Sequence, residues 1–299
     1  MTAASERLPI DEARVRRLFA LPRLLDADDF LPREVSRRMT ERLATIRIEA
    51  SRVLDVGCGT GGDLAMLHER FPGSMVCGID ASRPRLLRAR GRGETGGLAR
   101  LFRRREGPAL VQGDFAALPF AAQSFDCLWS NLALHWTAEP HRVLIDWSRV
   151  AKVGGLIAFS AFGPDTLREV AAASAEVDRS RRVMPFTDMH DYGDMLIAAG
   201  FTTPVVDMER VTLTYTNPHS LWRDVRALGG NALLDQDLAQ ARGLRGRGFR
   251  ARLDEALARG RDRDGRYALS FELIFAHAWK GEPRTTRSGE AIVRFERRV

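Results

Sequence analysis

Residues 54–63 read Leu54-Asp55-Val56-Gly57-Cys58-Gly59-Thr60-Gly61-Gly62-Asp63. An apolar run, RVLDV, closes on glycines, and GGDLAMLHERF then takes up helical spacing. A buried strand followed by such a turn is where an open α/β sheet binds nucleotide-like ligands. The glycines allow a tight turn and a close approach of backbone to ligand. Asp55, Gly57 and Gly59 are therefore candidate ligand-binding residues. The position of Asp55, inside the strand end and before the first glycine, indicates which ligand. A carboxylate there repels a diphosphate and attracts a cationic amino-acid tail.

The alternation extends outward from this turn. Upstream, residues 1–50 read as helical. EARVRRLFALPRLL is interrupted by Pro22, and FLPREVSRRMTERLATIRI restarts with Pro32 near a first turn. Val35, Met39, Leu43 and Ile46 form one apolar stripe. Downstream, MVCGID is a second strand. SRPRLLRAR is a helix with Ser82 as N-cap and Pro84 just inside, and GRGETGG (91–97) is a loop. PALVQGD, FDCLWSN and GGLIAFSAF are the third to fifth strands, with HRVLIDWSRVAK as a helix before the fifth. DTLREVAAASAEV and DMHDYGDMLIAAGF follow as helices, the latter closed by Gly200. PVVDMERVTLTY is a strand, PHSLWRDVRALGG and 237–260 are helices, and YALSFELIFAHAWKG is a final strand of alternating character. Strands and helices alternating in this way predict a Rossmann-like α/β fold, a doubly wound and mostly parallel sheet with helices on both faces. The expected divisions are an N-terminal helical segment (1–50), a core (51–215), a helical cap insertion (216–266), and a final strand and tail completing the core (267–299).

Further candidates stand at the other strand ends. Asp80 closes the second strand, where an acid can accept both hydroxyls of a ribose. After the third strand, Asp114 can accept from an exocyclic amine, with Phe115 flanking a flat uncharged ring. The fourth strand delivers Asn131, Leu132, His135 and Trp136 above the sheet. His135 is a possible general base, but a lone histidine is more often structural.

The chain has 299 residues, 44% hydrophobic and 28% charged, enough for a sizeable core without disulfides or a structural metal. Cys58, Cys77 and Cys127 are far apart and outside any CxxC spacing, so buried inert thiols are expected and no metal site. Charges and prolines break the N-terminus, and no stretch has membrane-spanning length, so the expected compartment is the cytoplasm. The net charge is +7 with a pI near 10.1, mostly from arginine at 103–105, at 179, 181 and 182, and through 242–266. No nucleic-acid-binding signature accompanies that charge.

Taken together, LDVGCGTGG, GID, GDFAALPF, SFDCLWSNLALHW and VAKVGGLIAFSAFGPDTLREV resemble the class I S-adenosylmethionine-dependent methyltransferases. FTDMHDYGDMLIAAGFTTPVVDMERVTLTY and FELIFAHAWKG narrow the resemblance to the malonyl-[acyl-carrier protein] O-methyltransferase family of biotin synthesis, over roughly residues 30–299. The SNLALHW string (130–136) is also similar to a mitochondrial assembly factor of respiratory complex I that hydroxylates an arginine. The N-terminal segment departs from the family pattern, keeping Phe19 but lacking a tyrosine.

The resemblance implies S-adenosylmethionine as cofactor and acyl carrier protein as partner. It also implies methyl transfer to the free carboxylate of the malonyl group. A carboxylate is ionised at neutral pH, so no catalytic general base is expected. Trp136, Tyr192 and Arg226 are candidates for orienting the carboxylate. The arginine excess is a candidate docking surface for an acidic carrier protein. The alternatives are a methyltransferase for another small carboxylic acid or metabolite, and a non-methylating assembly or hydroxylase-type factor with the same fold.

Overall fold

A computed structural model of the chain describes residues 7–21, 29–93, 108–178, 183–227 and 247–282. Helices α1 (Glu12–Phe19) and α2 (Phe30–Arg42) precede the sheet. The sheet is built from β1 (Arg52–Val56), β2 (Met75–Asp80), β3 (Ala109–Gln112), β4 (Phe125–Ser130), β5 (Ala151–Phe162), β6 (Phe201–Tyr215) and β7 (Tyr267–Lys280). The connecting helices are α3 (Leu64–Arg70), α4 (Arg83–Gly93), α5 (Pro140–Val150), α6 (Arg168–Asp178) and α7 (Met189–Ala198). Between β6 and β7 come α8 (Pro218–Ala227) and α9 (Arg247–Ala258). The arginines at 103–105, 179, 181, 182 and 242–246 lie outside the described residues, as does most of the 91–97 loop, whose first glycines still belong to α4.

The strand order is β3-β2-β1-β4-β5-β7-β6. β1 to β5 run parallel, with Leu54 of β1 between Cys77 of β2 and Leu128 of β4. β7 runs antiparallel to both neighbours, setting Phe275 against Ser160 of β5 and Asp207 of β6. The pleat sorts alternate residues of the central strands to opposite faces. Val53, Cys127 and Trp129 join α2, α3, α6 and α9 in one core. Leu54, Leu128 and Val56 join α5 and α7 in the other.

The final strand departs from expectation. β7 is buried almost along its whole length, whereas β6 alternates half-buried and exposed positions. Wedged between two strands with helices on both faces, β7 is buried on each side, Ser270 and Glu272 included. Alternation belongs to β6, the sheet edge. β5 also begins earlier than expected, at Ala151, and its pairing with β4 shifts register between Phe125 and Cys127.

α2 buries Leu31, Val35 and Met39. From its outer face Arg38 and Arg42 reach Glu209 on β6, and Arg42 lies 3.8 Å above the Phe275 ring. The N-terminal segment is thereby fixed to the sheet. All three cysteines are free and buried, and burial pushes the Cys77 thiol up to about 11.

Candidate active site

β1 connects to β2 on one side, while β4 connects to β5 on the other. Where connections diverge in this way, a crevice opens beyond the carboxyl ends of the strands. The cavity found there is walled by the glycine turn after β1, the end of β2, the segment after β4, and α1 lying across the mouth.

The turn is held from both sides. Gly57 N and Cys58 N donate to Ile79 O at 2.8 and 3.0 Å. Gly57 has φ +75°, and a Cβ there would stand 2.5 Å from the Ala133 Cβ, so only glycine fits. Asp80 ties the two turns together, accepting from Gly59 N at 2.9 Å through Oδ2 and from Ser82 N at 2.7 Å through Oδ1. Ser82 does precede α4, but its hydroxyl donates to Phe19 O at 3.5 Å.

Three carboxyls converge on this wall, the buried Asp55 and Asp63 and the half-buried Asp80. Burial raises each above the usual carboxylate range, and for Asp55 the nearby Asp63 and Asp80 add to it. Asp63 Oδ2 accepts from Trp129 Nε1 at 2.7 Å and from Asn131 Nδ2 at 3.1 Å. Asp55 Oδ2 is buried and has no partner. Such an atom is costly unless something arrives to meet it. A cation would satisfy the oxygen and relieve the repulsion among the three acids.

The opposite wall is aromatic. Phe19 meets Trp136 edge to face at 5.1 Å, and the Arg85 guanidinium lies 4.5 Å over the Phe19 ring while its Nε donates to Phe19 O at 3.1 Å. His135 is 2% exposed and sits in a 3-10 turn, Leu134–Trp136, that follows β4. Its ring lies 4.6 Å from Phe162 and 5.7 Å from Phe186. Burial lowers its pKa to about 3, so the imidazole is neutral across the physiological range.

Of the candidates read from the sequence, Asp55, Gly57, Gly59, Asp80, Phe115, Asn131 and Trp136 all stand on the cavity wall. Asn131 does so with its side chain already engaged, donating to Pro32 O and Asp63 and accepting from the Ser160 hydroxyl. Asp114 is not on the wall: it takes Ala116 N at 2.9 Å and faces Arg16 at 3.3 Å. Tyr192 requires a correction. It is wholly buried in the core beneath β5, 5.4 Å from Phe159, because α7 turns that face inward, and it does not reach the cavity. The Arg226 side chain lies outside the described residues. Reasoning from the sequence missed Asp63, Arg85 and Phe162. Asp63 closes the glycine motif itself and could have been singled out, whereas Arg85 and Phe162 carry no local signal.

Residues 54–159 match the methyltransferase domain family. The YcgJ protein of Bacillus subtilis superposes with a TM-score of 0.55 at 20% identity, covering 83% of this chain and 99% of that one. The BH2331 protein of Bacillus halodurans gives 0.56 at 20% identity, covering 83% and 100%. These two show the fold. Over the whole chain, the malonyl-[acyl-carrier protein] O-methyltransferase of Laribacter hongkongensis is 40% identical across 297 residues, 97% of this chain and 98% of its own. That of Gallionella capsiferriformans is 39% identical over 95% and 96%. The chain belongs to the malonyl-[acyl-carrier protein] O-methyltransferase family.

The cofactor of this family of enzymes is S-adenosylmethionine, and the residues present fit it. Asp55 has an unmet buried oxygen that a cationic amino group would satisfy. Asp80 has acceptor capacity left beyond its two backbone donors, and Phe115 places an apolar ring on the wall.

Proposed function

We propose that the chain transfers a methyl group to the free carboxylate of a malonyl group carried on acyl carrier protein, as a cytoplasmic enzyme of biotin synthesis. The observation that carries this reading is near-end-to-end identity of 38–40% with several relatives bearing that activity in their names. Bound S-adenosylmethionine supplies an electrophilic methyl on a sulfonium. What remains for the protein is to hold two partners in line and keep water out. Asp55, Gly57, Gly59, Asp80 and Phe115 take the cofactor, Asp55 by its charge and Phe115 by its ring. Asp114 supports them at the rim. Asn131 secures α2 over the site, and Trp136 with Phe19 shields it from solvent. Arg226, in the cap at 216–266, remains a candidate for orienting the malonyl carboxylate.

No strong base is required. His135, with its pKa near 3, is a poor match for proton abstraction at neutral pH, and a malonyl carboxylate has no proton to give up there. The deciding measurement is transfer of labelled methyl from S-adenosylmethionine to malonyl-carrier protein, run beside malonyl-coenzyme A. Formation of a base-labile methyl ester on the carrier protein is expected. Label appearing only on the free acid or on coenzyme A would replace this reading with a small-metabolite methyltransferase, and cofactor binding without any transfer would replace it with a non-methylating factor.

A further inference from the structure

The cavity wall holds two unmet buried atoms of opposite kind. Asp55 Oδ2 is an acceptor. His135 Nε2 is the other, and its character follows from its partner across the ring. Phe162 N donates to Nδ1 at 3.3 Å, so Nδ1 presents its lone pair. A neutral imidazole has one N–H, and here it must be on Nε2. Among the described residues His135 therefore keeps a hydrogen-bond donor with no acceptor, on the cavity wall beside the rings of Trp136, Phe162 and Phe186.

The cationic side chains of the wall are engaged. Arg16 faces Asp114 at 3.3 Å, Arg33 faces Asp29 at 2.9 Å, and Arg85 is stacked on Phe19 and donates to its carbonyl. We propose that His135 is the substrate-orienting donor of the site, its Nε2–H binding one oxygen of the malonyl carboxylate while the other oxygen is left to accept the methyl. This rests on the reading of the substrate given above.

A neutral donor suits that task better than a cation would. An ion pair would withdraw charge from the attacking carboxylate and would have to be broken once the ester forms. An N–H donor holds a carboxylate through a charge-assisted bond and holds an ester carbonyl only through a weaker neutral one. Substrate is thus gripped more firmly than product. No carboxylate or cation shifts the His135 ring, whose lowered pKa comes from burial alone, so its donor state does not change between pH 5.5 and 8.5, taken as about the working range.

The test compares wild type, His135→Ala and His135→Gln, the last keeping an amide N–H. His135→Ala should raise KM for malonyl-carrier protein about 10- to 100-fold, the range for a lost hydrogen bond to a charged group. The affinity for S-adenosylhomocysteine should be unchanged, and His135→Gln should recover most of the loss. Binding of malonyl-carrier protein to the enzyme saturated with S-adenosylhomocysteine, followed by calorimetry, should weaken in the same order. Equal KM in all three proteins would overturn the proposal. So would an acid limb near pH 6.5 in wild type that disappears in His135→Ala, since that would make the ring a base. If His135 governs binding in the calorimeter while no methyl is transferred, the donor role stands and the substrate reading falls.

Discussion

Burial raises the Asp55 carboxyl above its ordinary range, and Asp63 and Asp80 raise it further. The consequence for binding has a definite sign. The free protein keeps a proton on Asp55 at pH values where an exposed aspartate has lost it, and an incoming ammonium group expels that proton. Affinity for S-adenosylhomocysteine should therefore climb as pH rises through the elevated pKa and then level off. Calorimetry in buffers of differing ionisation heat should record proton release that Asp55→Asn abolishes. Folding runs the other way, because stability from the retained proton is full below the unfolded-state pKa and is lost as pH rises through the folded one. A second residue-scale prediction concerns Gly57. Gly57→Ala meets both a positive φ and the Ala133 Cβ, whereas Gly73, at φ +84°, has nothing within 4 Å. Denaturant unfolding should show Gly57→Ala costing about 1–3 kcal/mol and Gly73→Ala less. The acid-then-glycine turn was legible in the sequence, and Asp55 alone made it so. Gly57, Gly59 and Gly62 are also spaced as in a dinucleotide-binding turn, so the glycines by themselves do not discriminate. Tyr192 does not serve the site because it shares the buried stripe of α7 with Leu196, while His190, Asp191 and Asp194 hold the exposed face.

At the scale of elements, α2 is held by charge as well as by its apolar stripe. Arg42 bonds Asp207 and Glu209 and covers the Phe275 ring. Arg42→Ala should cost about 1 kcal/mol in chemical denaturation, combining a partly exposed ion pair with a cation–π contact. Arg42→Met, which keeps an apolar stem over Phe275, should recover part of it. All seven strands were visible in the sequence, the central ones as apolar runs bounded by turn residues, since local composition is enough to mark a buried strand. The insertion of the last strand between the fifth and sixth was not, because neighbour relations depend on contacts between segments distant in sequence. The same limit hid the meeting of Arg16 with Asp114, and of Arg85 with Phe19, which bring α1 down onto the site.

For the whole molecule, a net charge of +7 sets how a partner arrives. If the carrier protein is acidic, the apparent KM for its malonyl form should rise as salt increases from about 50 to 300 mM, a range over which the screening length falls below about 10 Å. A flat response would remove the electrostatic account of docking. Among the described residues no helix is long and apolar enough to cross a membrane. The position of β7 governs how the molecule can be made. β6 touches the rest of the sheet only through β7, and β7 ends at Lys280. Until that late segment leaves the ribosome, β5 has a naked apolar edge and β6 has nothing to pair with. Nascent chains halted before Tyr267 should stay protease-sensitive and prone to clump through the open edge. Those released past Lys280 should become resistant in a single step.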